Sequence, residues 1–428
     1  MCSNSCTNVT ASLKQHDPCA ASLRMSEPLV VIGNGMAAMH LVEELTRRAL
    51  GRYAIAVIGE EPRLAYNRVL LSAVLAQEVS RSEIELRPAR WWSHRGVTLL
   101  YGRTATVIDP TIRRVRLADG ATLPYARIVL ATGSRPIRLR VPGMGLPGVV
   151  TFRDLGDVAT IEAAARRGAR AAVIGGGLLG LEAAHGLAKA GSQVTIVHLM
   201  DRLMERQLDA HAASMLKKAL EARGVTVHLN AETVGIYGKG RAQAVALKDG
   251  TQIEADLVVV AAGIRPNVEL AHGANLGIDR GILVDDHLQT SRPGIYAIGE
   301  CAEHRGVCYG LVEPTYEQAR VLAAHLAGEE AHYPGSVLAT NLKVSGVNVF
   351  SAGDFLGAAG TEQLVLSDPG LDAYKKLVVL GRRLVGAVLF GDTVDGLWYR
   401  DLIRSGASIE AIRDDIMFGR TLAERKAA

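Results

Sequence analysis

Leu29-Val30-Val31-Ile32-Gly33-Asn34-Gly35-Met36-Ala37-Ala38-Met39 decides how the rest of the chain folds. Apolar residues run straight into a glycine turn, and across 36–50 the apolar positions recur at helical spacing, so the stretch reads as strand, tight turn, helix. Gly33 permits a sharp turn off the strand, Gly35 puts no side chain between backbone and a pyrophosphate, and Ala38 is small enough for helix and strand to touch. Unpaired N–H groups and the macrodipole at the helix start favour phosphate charge. Glycine turns after strands are common, so one such turn is a weak signal.

A second copy strengthens it. The strand over 54–58 ends at Gly59-Glu60, and Glu60, 22 residues after Ala38, stands close to where an acid takes ribose hydroxyls. Then Ala171-Ala172-Val173-Ile174-Gly175-Gly176-Gly177-Leu178-Leu179-Gly180-Leu181-Glu182 repeats the pattern 142 residues later, followed by a strand at 194–197. Two glycine turns suggest two dinucleotides. The repeat extends further: Ile128-Val129-Leu130 leads to the small-residue crossing Ala131-Thr132-Gly133-Ser134-Arg135-Pro136, and 257–260 leads to Ala261-Ala262-Gly263-Ile264-Arg265-Pro266-Asn267.

At 428 residues the chain is too long for one core. Its 48% apolar and 21% charged residues are ordinary for a globular protein, no apolar run has the length of a membrane span, and a formal charge of +4 gives no reason to propose nucleic acid. Cys2, Cys6, Cys19, Cys301 and Cys308, an odd number, form no disulfide framework, and no apolar signal segment precedes the first strand; the cytoplasm is the simplest compartment.

Residues 1–27 are polar and aperiodic and read as a disordered extension, with Met25 as an alternative start; Cys2, Cys6, His16 and Cys19 match no standard zinc spacing. A proline-marked loop at 61–72 runs into a short helix, and short strands at 97–101, 104–108 and 113–117 would make a small sheet against the first unit. Residues 141–148, dense in Pro and Gly, read as a hinge between the copies. A third signal, Gly294-Ile295-Tyr296-Ala297-Ile298-Gly299-Glu300-Cys301-Ala302, delivers an acid behind a glycine, and a helix is expected over 315–326. From 335 onward strands such as 342–349 and 377–388, then amphipathic helices at 394–404 and 408–416, indicate a third domain.

Together these features resemble the flavoproteins with two dinucleotide-binding domains of the pyridine nucleotide-disulfide reductase class, from Pro28 to Gly419. Within it, Tyr66-Asn67-Arg68-Val69-Leu70-Leu71-Ser72, Met204-Glu205-Arg206-Gln207-Leu208-Asp209 and Gly299-Glu300-Cys301-Ala302-Glu303-His304-Arg305-Gly306 are similar to the flavin-containing N-terminal part of assimilatory NAD(P)H-nitrite reductase large subunits. The resemblance implies an α/β fold: two Rossmann-like domains, one for FAD (28–148 and 267–334) and one for NAD(P)H (149–266), then an α+β interface domain (335–428). Gly33, Gly35, Met36 and Ala37 would lie along the FAD pyrophosphate and Glu60 on its adenosine ribose; Arg68 would approach pyrophosphate or ring. Thr132 and Gly133 would cross near the cofactor, and Gly299 and Glu300, where most of the class has Asp, would meet the ribityl and phosphate region through a helix N-terminus.

Gly175, Gly177, Leu178, Gly180 and Gly263 would serve NAD(P)H. For Glu182 two readings stand, a residue facing the nicotinamide or one completing the helix dipole. Where NADH-preferring relatives end the second strand with an acid, this chain has His198, with Arg202 close behind; removing the carboxylate would remove repulsion of a 2′-phosphate, which Arg202 would pair, or both residues are a solvated loop.

Disulfide-reducing members carry a cysteine pair early in the first domain, and the corresponding stretch, 64–72, has none. Cys301 reads as a buried small residue rather than a flavin-linked thiol. The resembled large subunits continue into iron–sulfur and sirohaem domains whose cysteine motifs this sequence lacks, so it is expected to serve a separate nitrite or nitrate reductase partner with iron–sulfur, sirohaem or molybdenum centres. A ferredoxin or rubredoxin reductase is the rival, a non-enzymatic NAD(P)H sensor a remoter one, and a homodimer a candidate assembly. The basic stretch Arg135 to Arg140 reads as a solvated charged loop before a docking face.

Overall fold

The computed structural model describes residues 26–165, 168–344 and 346–427. The cysteine and histidine cluster of the N-terminal segment lies outside them.

The opening stretch forms the strand Glu27–Ile32 and the helix Met36–Arg48. The strand is central in a five-stranded parallel sheet, ordered Ile295–Ala297, Arg127–Leu130, Glu27–Ile32, Tyr53–Gly59, Thr98–Tyr101. Leu29 and Val31 pack into one core with Leu41 and Leu45 of the helix, while Val30 and Ile32 pack into another with Ile108 and Val115. Both faces are covered, so the strand is continuously apolar rather than alternating. Thr98–Tyr101 departs from expectation. It is the edge of this main sheet, reached through the short helix Ala89–His94, because a parallel neighbour needs a crossover. The small antiparallel sheet is Ala105–Asp109, Arg114–Leu117 and Thr122–Pro124.

The second copy repeats the plan, with parallel strands ordered Thr226–His228, Gln193–Val197, Arg170–Ile174, Leu257–Val260, Val149–Thr151, and the helix Leu178–Lys189 after its turn. The chain passes between the two sheets twice, and the crossings pair with each other: Ser134–Pro136 runs antiparallel to Ile264–Pro266. Residues 141–148, expected as the hinge, are stitched to the second copy instead. Pro142 O accepts from Ile236 N at 2.9 Å, Pro147 O from Ala242 N at 2.9 Å and Gly148 O from Val258 N at 2.8 Å.

The third sheet is antiparallel, ordered Ala339–Val344, Val347–Gly353, Arg383–Phe390, Ala373–Leu380, Glu362–Asp368. Each strand expected at 342–349 and 377–388 is thus a hairpin, turning at Gly346 (φ +73°) and Gly381 (φ +58°). The helix Gly396–Ser405 is as expected, but 408–416 holds only the single turn Glu410–Ile412 and the start of another, Ile416–Phe418; the helix Arg420–Ala427 follows. Ile409 and Ile416 are both fully buried, so their apolar spacing reported anchoring rather than an unbroken helix. Among the described residues no helix is long and apolar enough to cross a membrane.

Candidate functional site

Both glycine turns open onto one cavity of about 1860 Å³. Gly33 sits at φ +118°, and a Cβ there would lie 2.0 Å from Ala131 O; Gly175 sits at φ +122°, and its Cβ would lie 2.3 Å from Ala261 O. Only glycine fits either place. Gly35 and Gly177, two residues on, face open space, with nothing within 4 Å of an added Cβ. They are the N-caps of the two helices, whose first turns begin with Met36 and Leu178 and receive no side-chain cap. Two uncapped helix starts with bare backbone toward one cavity are the donor arrangement that a pyrophosphate completes. The residues present therefore fit two dinucleotides, FAD and NAD(P)H.

The first cradle carries an ordered charge network. Glu300 accepts from Ser134 Oγ at 2.7 Å and pairs with Arg153. Arg153 O in turn accepts from Arg68 Nη1 at 2.9 Å, and Arg68 pairs with Glu61, which also takes the Tyr66 hydroxyl at 2.8 Å. The single 3₁₀ turn Gly299–Cys301 presents Glu300, not the helix N-terminus expected. A third helix start also reaches the cavity, that of Val312–Ala327, tied to the turn by Gly299 N donating to Gln318 Oε1 at 2.7 Å. Thr132 and Gly133 line the cavity, yet the Thr132 hydroxyl donates to Asn267 O at 2.9 Å while Asn267 Nδ2 donates back to Thr132 O at 2.8 Å, locking the two crossings together. Ala37 and the exposed Glu60 also line the cavity. Glu61, Ser134 and Arg153 were missed from the sequence; only Glu61, beside Glu60, carried a signal there.

In the second cradle Glu182 lines the cavity from the fifth position of its helix, and burial pushes its carboxyl up to about 7. Gly263 lines the same wall. Gly180 does not reach it: a Cβ there would lie 2.0 Å from Gly175 O, so its place is the close packing of helix on turn, as Ala38 serves the first copy. His198 lines the cavity though it is largely buried against the turn, its Nδ1 accepting from Gly176 N at 3.0 Å and its Nε2 meeting Glu205 Oε2 at 3.1 Å. Arg202 is not brought to the cavity. Its guanidinium is held by Asp201 at 3.0 Å and its Nε by Leu208 O at 3.4 Å; the loop instead sends Glu205 and Arg206 to the wall.

The thiols are poor nucleophiles here. Cys301 is fully buried, its Sγ 3.3 Å from Ile298 O, and burial raises its pKa; Cys308 borders the cavity, with burial pushing its thiol up to about 11. Among the described residues no cluster of His, Cys, Asp or Glu can hold a metal ion. Of the basic stretch expected as a solvated loop, Arg135 instead lies on the strand Ser134–Pro136, borders the cavity and pairs with Glu269, while the exposed Arg138 donates to Met144 O at 3.1 Å.

Comparison with known proteins agrees with this geometry. The pyridine nucleotide-disulphide oxidoreductase model matches residues 27–331, and the rubredoxin NAD+ reductase C-terminal domain matches 339–407. The chain is 46% identical over 382 residues to a nitrite reductase [NAD(P)H] of Bacillus subtilis, covering 89% of this chain and 48% of that protein. It is 42% identical to the assimilatory nitrate reductase electron transfer subunit of the same organism, covering 86% and 48%. The chain spans about half the length of these two relatives. Among solved structures, the covalent putidaredoxin reductase–putidaredoxin complex superposes with a TM-score of 0.85 at 27% identity, covering 94% of this chain and 98% of that one. The chain belongs to the pyridine nucleotide-disulphide oxidoreductase family and is an FAD-dependent NAD(P)H oxidoreductase.

Proposed function

We propose that the chain delivers electrons from NAD(P)H to a separate redox protein, as the electron-transfer part of an assimilatory nitrite or nitrate reductase system. The observation that carries this is the single cavity shared by both glycine cradles, whose flavin side holds Cys301 and Cys308 as free thiols with pKa values raised by burial. FAD, when bound, accepts a hydride from NAD(P)H and can release the electrons one at a time. The protein's part is placement and exclusion of water. Gly33, Gly35, Met36 and Ala37 would hold the first pyrophosphate, with Glu60 on the ribose. Arg68, Gly133, Gly299 and Glu300 would surround the flavin's middle, Thr132 acting by fixing the crossing. Gly175, Gly177, Leu178 and Gly263 would seat the nicotinamide nucleotide, and Glu182 would bound the place where the two rings meet. Relatives named for nitrite and nitrate reduction support the acceptor class.

A second reading, reductase of a ferredoxin or rubredoxin, is favoured by the match of residues 339–407 to a rubredoxin reductase domain. Anaerobic NAD(P)H oxidation by the flavin-loaded chain, with sirohaem nitrite reductase, nitrate reductase, ferredoxin or rubredoxin as acceptor, separates the two. The first reading expects saturable reduction of the nitrite or nitrate enzyme at a rate exceeding that of the small carriers; the reverse order overturns it. A colourless protein that refuses flavin overturns both.

A further inference from the structure

We propose that Glu205 selects the ribose of the nicotinamide nucleotide, so that the chain binds NADH in preference to NADPH. This deepens the oxidoreductase reading and rests on it. The strand Gln193–Val197 ends in His198 where an acid would ordinarily meet the adenosine ribose. The fold restores the acid from another place. A Cβ on Gly176 would lie 2.8 Å from His198 Cγ and 2.6 Å from Leu203 Cδ2, so the bare turn lets the imidazole and the returning loop lie directly against it. The loop is fastened there. Met204, fully buried at φ +51°, donates its N–H to Gly176 O at 2.9 Å, and the next residue, Glu205, emerges into the cavity.

Imidazole chemistry then fixes the carboxylate. Because Gly176 N–H donates to Nδ1, the ring's proton sits on Nε2 and is donated to Glu205 Oε2 at 3.1 Å. A neutral donor leaves the carboxylate its charge. The negative group thus stands across the imidazole from the turn that cradles phosphate, a hydrogen bond on either side of the ring, where it accepts from ribose hydroxyls and repels a 2′-phosphate. Of the nearby cations, Arg202 is committed to Asp201; Arg206 lines the same wall and pairs with Glu205 Oε1 at 3.9 Å, but at 86% exposure that pairing is screened by solvent and leaves Glu205 the less exposed charge of the two.

The test is equilibrium titration calorimetry of the flavin-loaded full chain with NAD+ and with NADP+, for wild type, E205Q, E205R and R206A. The wild type is expected to bind NAD+ at least about tenfold more tightly than NADP+, E205Q to bring that ratio below about threefold by tightening NADP+, and E205R to invert it. A wild-type ratio near one, or a ratio unmoved by both Glu205 variants, overturns the proposal. So does an R206A variant that loses NADP+ binding specifically, since Arg206 would then be taking the phosphate. Binding of neither nucleotide would overturn the oxidoreductase reading and this proposal with it.

Discussion

A carboxyl raised to about 7 makes Glu182 the residue whose protonation is felt in the fold itself. Its folded pKa lies above the ordinary 4.5, so the native state holds the proton to higher pH than the unfolded chain does. Stability from this group is therefore complete below pH 4.5 and declines as pH rises through 7, by about 3 kcal/mol in total. E182Q should be more stable than wild type above pH 7, with the difference vanishing below pH 5; parallel denaturation curves across that range would refute the desolvated position. Gly180 gives a second expectation at this scale. A Cβ 2.0 Å from the backbone oxygen of Gly175 cannot be relieved by a rotamer change, so G180A should cost about 2 kcal/mol and weaken NAD(P)H binding while flavin content stays at one per chain. Calorimetry and the visible spectrum read the two effects separately. The glycines were legible in the sequence because a backbone requirement leaves an unmistakable residue type. Arg153 and Glu205 were not, since each is delivered by a loop folding back, which has no period. Arg202 misled for the converse reason: an arginine near a phosphate site suggests a contact, but the adjacent Asp201 holds it.

Elements meet around Asp209. Its carboxylate caps the helix Ala210–Glu221 by accepting from Ala212 N at 3.0 Å, and it reaches the third sheet, accepting from Tyr374 Oη at 2.7 Å and facing Lys376 Nζ at 3.3 Å. Lys376 is only 5% exposed. D209A removes a cap worth about 1 kcal/mol and leaves a buried ammonium unpaired, for a combined loss of about 3–5 kcal/mol. D209N should keep the cap and lose only the larger part. Urea unfolding of both variants checks this, and equal losses would argue against the lysine's share. Element identity was readable over the two parallel sheets, where strands and helices alternate. It failed in the third sheet, because a two-residue turn lets alternation run on: the fully buried Leu377 and Val388 lie on strands joined at 381–382.

Over the whole molecule, charge links the two parallel sheets. Arg153 follows the strand Val149–Thr151 of the second sheet, yet its guanidinium pairs with Glu300, which follows the last strand of the first. R153Q is therefore expected to weaken FAD retention about tenfold although the residue belongs to the other sheet, as loss of a charge-assisted pair implies. Flavin release monitored by fluorescence recovery measures it, and unchanged retention would remove the link. The repeated architecture was visible from sequence in outline. What was not visible is that the passage between copies is a paired ribbon rather than the glycine-rich stretch at 141–148.

That ribbon has a consequence for how such a protein is assembled. Pro136 and Ile264 face each other in register, so the chain leaves and returns through adjacent doors. The stretch from 137 to 263 is a guest lodged in a host whose severed ends already stand where a tight turn would join them. Excision with a two-residue closure should leave a protein blind to pyridine nucleotides that holds flavin more weakly for want of Arg153, and it would need polar replacements where Leu71, Val74 and Leu75 pack on the guest.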